Sequence, residues 1–477
     1  LADVVTDANQ TGAVAGEPVR EGEYGARIGT VEPGGVEFIP LGDRHGRPLD
    51  LLWTWTSPNL EFATIAVGLL GVGVFGLSFW QAVLAIVIGN VLGSVSQGVL
   101  SARGPKHGVP QMVLSRASFG YWGNVLPAGL NAVTAGIGWF AVNSVSGAFA
   151  LNTLTGMPTL LGLVIVVVVQ VVIAFFGHNL VQAFERYAVI FLGIVFVVAA
   201  VWLLTKTHAS TPGHPIPGGF LITTGAAFGY AAGWNPYAAD YTRYLPPGVS
   251  ARMTGFWAGL GVFASCVLLE IVGAAAITPL NMPDNPTAAI TGLLPTWLSD
   301  LTLLAIVIGA ISANVLNIYS GAMSFLTLGI RLPLALRRAL VAVVFGVIGF
   351  LLAWSGLQDA GHKYENFLLI IAYWIGPWLG VVFTDQFLRR GRSVASLLYA
   401  PWYRNWAGPI AMLVGIGVSI PLFSNQTEYT GVVATHVPAL GDITFLVGFV
   451  LAAAVYAVLF PLLGGRRTSP PEDRRAG

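Results

Sequence analysis

The chain has 477 residues, 55% of them hydrophobic and only 9% charged, with a mean hydropathy of +0.73 and a net charge of +1. A soluble domain carries about 25% charged residues, so a water-soluble globular fold is excluded and an all-α integral membrane protein is expected. Cys266 is the only cysteine, which rules out an intramolecular disulfide and a thiol metal cluster and leaves it a packing role. The seven histidines lack metal-ligand spacing, and no H-E-x-x-H or G-x-S-x-G motif occurs, so no enzyme, catalytic residue or cofactor is expected.

Residues 1–50 are polar and Gly-rich without an apolar signal core, and read as a disordered cytoplasmic tail. From Leu51 onward, twelve apolar stretches of membrane length follow, each about 20 residues or more. They lie near 52–76, 78–100, 125–151, 159–179, 187–205, 220–245, 253–278, 301–329, 335–354, 367–388, 406–424 and 442–463. Residues 465–477 form a second polar tail. The 23 Lys and Arg divide unevenly: four lie in each terminal stretch, two (Lys206 and Lys363) in one set of connections, and the other thirteen in the opposite set. By the positive-inside rule both termini are expected in the cytoplasm, in a bacterial inner or plasma membrane.

Segment one carries Pro58 in Ser57-Pro-Asn59, and segment six carries Pro236 in Gly233-Trp-Asn-Pro-Tyr237. A proline within a helix lacks the N–H and clashes with the preceding turn, so both segments are expected to break. At bilayer depth the freed backbone groups must be satisfied by protein, ligand or water, which makes such breaks suited to a solute site. Five spans separate the two, as in transporters built from inverted five-helix repeats. The expected units are 1–50, a first repeat at 51–206, a second at 207–392, two added helices at 393–464, and the tail.

Glu61, Asp240 and Glu270 are the ionisable residues read as lying within the membrane. A charge at the bilayer centre costs about 2.5–3.5 kcal/mol on insertion scales, so each is a functional candidate. Asp240 is three residues from Arg243, and the pair reads as a helix-end ion pair or gate. Glu61 and Glu270 read as cation-coupling groups or as water-exposed or hydrogen-bonded structural ones. Segment three offers Trp139 and Asn143 on one helix face, segment six Tyr230 and Trp234, and segment eight Asn314 and Asn317, three apart. Ring faces with carboxamides and no cationic clamp suit a flat, neutral, hydrogen-bonding solute, and nucleobases fit better than amino acids.

Several motifs together resemble the purine–cytosine permeases of the nucleobase–cation symport-1 family. They are Glu37-Phe-Ile-Pro40, Pro58-Asn-Leu-Glu61, Gly108-Val-Pro-Gln-Met-Val-Leu-Ser-Arg116, Ala239-Asp-Tyr-Thr-Arg-Tyr-Leu-Pro246 and Asn314-Val-Leu-Asn-Ile-Tyr-Ser320. The resemblance implies a LeuT-type fold of twelve transmembrane helices, a 5+5 inverted repeat with helices one and six broken and two helices added. It also implies uptake of cytosine or purines coupled to a cation. In such proteins a segment-three tryptophan and the polar residue four later contact the solute, corresponding to Trp139 and Asn143. A segment-six aromatic stacks on it (Tyr230 or Trp234), and a segment-eight asparagine completes the site (Asn314, with Asn317 a second candidate).

Sodium-coupled members bind the ion between segment-one carbonyls, here around Pro58 and Asn59, and two adjacent segment-eight hydroxyls. This chain has Ser312 followed by Ala313, which favours a proton over sodium, with Glu61 or Glu270 as carrier. The expected partners are a nucleobase, a proton or sodium, and the lipid bilayer, with no nucleic acid polymer and no obligate protein. The competing readings are a symporter of allantoin, hydantoin, thiamine or a pyridoxine-like ring, and a channel or sensor on the same scaffold.

Overall fold

The computed structural model describes residues 35–463 except 177, 281–285, 330–333, 358–359, 391 and 427–428. The first 34 residues and the tail at 465–477 lie outside the described residues. All twelve apolar stretches contain helix, and among the described residues β-structure is limited to the isolated bridges Gly120–Arg404 and Asn425–Thr430. Among the described residues, eight helices are individually long and apolar enough to cross a bilayer, forming segments two, three, four, five, seven, eight, ten and twelve. Segment one is a bent pair, and segment six is interrupted. Segments nine and eleven are the short apolar helices Val343–Ser355 (within Leu334–Gly356) and Ala407–Phe423.

Both expected breaks occur, and they use the same local device. Segment one runs Asp50–Thr56, tightens into a 3-10 turn at Ser57–Asn59, and resumes at Phe62–Leu69 with its axis turned by 63°. Segment six runs Gly219–Ala232, passes through a 3-10 turn at Asn235–Tyr237, and ends as Ala238–Thr242. Each turn carries its proline (Pro58, Pro236) in the first two positions, where the missing N–H costs least. In segment one Leu60 (ψ 68°) and Glu61 (φ −149°, ψ 173°) leave the helical region, so Glu61 stands at the start of the second half.

Segment two packs against six and seven, and segment eight against three, four and five. Segment twelve packs against ten and eleven. The second half of segment one meets segment seven backbone to backbone. A Cβ on Gly68 would stand 1.7 Å from the Glu270 carbonyl oxygen, and one on Gly273 1.9 Å from that of Ile65. Only glycine permits this approach, and it fixes the second half of segment one against a neighbour that does not bend.

Two expectations need correction. Residues 35–49 are not a free tail. Phe38 and Ile39 are buried, and Arg44 donates to the carbonyls of Ile39 (3.0 Å) and Pro105 (2.7 Å), so the guanidinium ties this stretch to the loop after segment two. Segment five spans His178–Leu204 instead of starting near 187. Its first turns are polar because they face other helices, a feature that mimics a connection when apolarity alone is counted.

Gly68→Val should lower the thermal melting temperature of the purified protein, because overpacking costs about 1–3 kcal/mol even among adjustable side chains and a backbone carbonyl adjusts less. A melt unchanged from wild type, read by size-exclusion after heating, would contradict this packing.

Candidate functional site

Glu61, Trp139, Asn143, Tyr230, Trp234, Asn314 and Asn317 are all buried and converge where the two interrupted segments meet segments three and eight. Asn314 is the hub. Its amide NH2 donates to the Phe140 carbonyl (2.9 Å), to Gln170 Oε1 (3.0 Å) and to Ser144 Oγ (3.1 Å), while its Oδ1 accepts from Asn317 (3.3 Å). The backbone acceptor at Phe140 determines which way this amide faces.

Asn143 is caught between acceptors. Asn314 Oδ1 lies 3.1 Å from one end of its amide, and Glu61 Oε1 and Oε2 lie 3.1 and 3.3 Å from the other. One NH2 group cannot serve both ends, and Asn314 cannot turn over to help. The cluster is completed by one further donor, either a proton on Glu61 or an N–H of a bound solute. Tyr230 closes the other side, donating to Glu61 Oε1 (3.3 Å) and sharing a hydrogen bond with the Thr64 hydroxyl.

The rings meet edge to face, without an open slot between parallel planes. Trp139 and Tyr230 are 5.3 Å apart at 89°, and Phe367 packs on Trp139 at 5.2 Å and 77°. Of the two segment-six aromatics, Tyr230 faces Trp139 and Glu61. Trp234 instead donates its indole N–H to Asn59 Oδ1 (2.8 Å) and lies against Trp55 and Tyr237. Asn317 accepts from Tyr237 (3.3 Å) and therefore sits on the segment-six side of Asn314.

The remaining candidates are dispersed. Glu270 accepts from Asn90 of segment two (2.7 Å), outside the carboxamide cluster. Asp240 and Arg243 each hydrogen-bond to other groups as well. Asp240 Oδ1 accepts from the Gln111 backbone N–H (2.8 Å), while Arg243 donates to the Gly35 carbonyl (2.8 Å) and to the hydroxyls of Tyr244 and Tyr319 (3.1 Å each).

Glu185 escaped the sequence reading because it fell in the presumed connection before segment five. It is buried, Ser312 Oγ donates to its Oε2 (2.6 Å), and Ser57 Oγ lies 3.1 Å from Ser312 Oγ. A carboxyl from segment five thus reaches the hydroxyl expected to border a cation. The signal was available: His178, Gln182 and Glu185 recur at i, i+4 and i+7, a stripe along one helix face. Gln170 was also legible, as a lone carboxamide within a run of valines.

Two interrupted helices crossing over a buried polar cluster, inside an all-helical apolar bundle, define a secondary transporter of the LeuT type. The family described as permeases for cytosine/purines, uracil, thiamine and allantoin matches residues 38–448, and the chain belongs to that family. It is a membrane permease and not an enzyme. It is 29% identical to the putative purine-cytosine permease YxlA of Bacillus subtilis, over 90% of this chain and 96% of that one. It is 30% identical to the purine-cytosine permease FCY2 of Saccharomyces cerevisiae, over 86% and 81%. Mhp1, a nucleobase-cation-symport-1 family transporter solved closed around bromovinylhydantoin, superposes with a TM-score of 0.70 over 88% of this chain and 93% of that one. At 21% identity, that likeness speaks to the fold.

Asn143→Ala removes the amide between Glu61 and Asn314 and leaves the bonds of Asn314 to Phe140, Gln170 and Ser144 in place. Losing one or two hydrogen bonds worth roughly 1–3 kcal/mol should weaken uptake affinity about ten- to a hundred-fold while the protein inserts and folds normally. Unchanged affinity in a concentration series of radiolabelled cytosine or adenine would remove Asn143 from the site.

Proposed function

We propose that the chain imports a neutral nucleobase, cytosine or a purine, by alternating access, together with a proton. The observation that carries the substrate is the Glu61–Asn143–Asn314 cluster beside Trp139 and Tyr230: it is one donor short, it is bordered by rings, and it holds no Lys or Arg to clamp an anion. A base offers an N–H to complete the cluster, a neighbouring acceptor for the amide, and a flat face for the rings. The roles follow from position. Trp139 and Tyr230 contact the ring, Asn143 and Asn314 its polar edge, and Asn317 and Trp234 hold the frame from the segment-six side. The names of the relatives support the same class of solute.

A proton suits the cation position better than sodium. Sodium is a hard cation bound through oxygen lone pairs. Here the Ser312 hydroxyl turns its proton toward the Glu185 carboxyl, and Ala313 supplies no second hydroxyl. Glu185 thereby joins Glu61 and Glu270 as a protonatable group within the bundle. The distribution of Lys and Arg supports an orientation in the cell membrane with both termini in the cytoplasm.

The test is uptake of radiolabelled cytosine into proteoliposomes under imposed proton or sodium gradients, competed by adenine, hypoxanthine, uracil and allantoin. Accumulation driven by the proton gradient and blocked by purines is expected. Accumulation driven by sodium alone would overturn the choice of ion, and displacement by allantoin but not by purines would overturn the substrate. Glu185→Gln should cut proton-driven accumulation about ten-fold, equivalent to ~1.4 kcal/mol of lost coupling, while counterflow exchange persists. Full accumulation in that variant would remove Glu185 from the coupling.

A further inference from the structure

A cavity lies between the first half of segment one, the start of segment five and the end of segment six. Its volume is about 190 Å³, and His45, Asp50, Thr54, His178, Gln182 and Tyr244 are among its lining residues. That is many times the roughly 10–15 Å³ one water requires, yet below the ~300–1,000 Å³ of sites for drug-sized ligands. It has room for a one- or two-ring molecule.

Its walls are unusually flat. The rings of His178 and Tyr244 stack at 3.7 Å and 12°, with Tyr241 6.0 Å from His178 and His45 6.1 Å from it. The Gln182 carboxamide accepts from the Thr54 hydroxyl (2.9 Å) through Oε1, and its Nε2 has no acceptor. Trp55 separates this cavity from the central cluster. It is fully buried, packs edge-on to Trp234 (5.8 Å) and to Tyr241 (5.5 Å), and its indole N–H also lacks an acceptor. A continuous row of rings therefore runs from Tyr237 through Trp234, Trp55 and Tyr241 to His178 and Tyr244.

Buried donors normally find partners, and an orphaned one calls for an explanation. One lines this cavity, Gln182 Nε2 at the end of the row, and it asks for an acceptor presented by something flat enough to lie against rings. A ring nitrogen or exocyclic oxygen of a nucleobase meets both conditions. Asp50 and Arg186, which also line the cavity, add a carboxylate for exocyclic N–H groups and a guanidinium for oxygens.

We propose that this cavity is a second, weaker binding station for the transported base, separated from the central site by Trp55 and occupied as the base leaves. It rests on the nucleobase reading of the central site. The aromatic row gives the base a stacked surface at each stage. Gln182 supplies a directional donor at the end of that row.

Equilibrium binding of tritiated cytosine and tritiated adenine to the purified full-length protein in nanodiscs tests this. Two classes of site are expected in the wild type. Gln182→Leu should abolish the weaker class and leave the tighter one unchanged. Gln182→Glu, which keeps the size and removes the donor, should weaken the same class at least ten-fold. Asn314→Ala should do the reverse, losing the tight class and keeping the weak one. A single tight class in the wild type, or two classes unaffected by either Gln182 variant, overturns the station while the central reading stands. Failure of both bases to bind anywhere overturns the nucleobase reading and the station with it.

Discussion

Every backbone polar group within a lipid-embedded bundle must be satisfied by protein, ligand or water, because lipid offers no partner. An unbroken helix meets that demand by itself. The interrupted segments one and six do not, and much of the central architecture answers the shortfall. The prolines at 58 and 236 sit early in 3-10 turns, where a missing N–H matters least, and neighbouring side chains then supply hydrogen bonds. Asn59 donates to the Trp55 carbonyl (2.7 Å) and accepts from Trp234, linking one interruption to the other across the axis of the bundle.

The same demand explains why the central cluster is close to complete without being complete. Asn314 is held by three acceptors from segments three and four, one of them a backbone carbonyl, so its amide cannot reorient. Asn143, one bond further in, has acceptors at both ends. A rigid outer ring of hydrogen bonds around a single unsatisfied position leaves one place where a ligand gains more than it disturbs. Leaving a buried polar group unpaired costs roughly 1–3 kcal/mol, enough to favour a matching solute by one to two orders of magnitude over one that lacks the donor.

Segment five shows how a polar stripe can serve two places at once. Its first turns present His178, Gln182 and Glu185 along one face, reaching in succession the cavity below Trp55 and the serines between segments one and eight. The carboxyl at the upper end and the carboxamide below it are less than a turn apart on a helix that does not bend. A movement of the first half of segment one would be felt at both. The second half is held backbone to backbone against segment seven.

Much of this was legible from residue order. Twelve apolar stretches, two misplaced prolines, and carboxamides at helical spacing on segments three and eight are local patterns, and local patterns determine helix, break and face. Those readings required only the periodicity of a helix and the intolerance of lipid for charge. Tertiary structure alone decided which polar groups face one another: that Asp240 accepts from the Gln111 backbone, that Tyr230 and not Trp234 meets Trp139, that residues 35–49 are bound in place, and that Glu185 reaches Ser312. A polar residue near a helix end reads from sequence as a loop residue. Whether it is one depends on whether another helix arrives to cover it, and that is a property of packing over more than a hundred residues of separation, which no local pattern records.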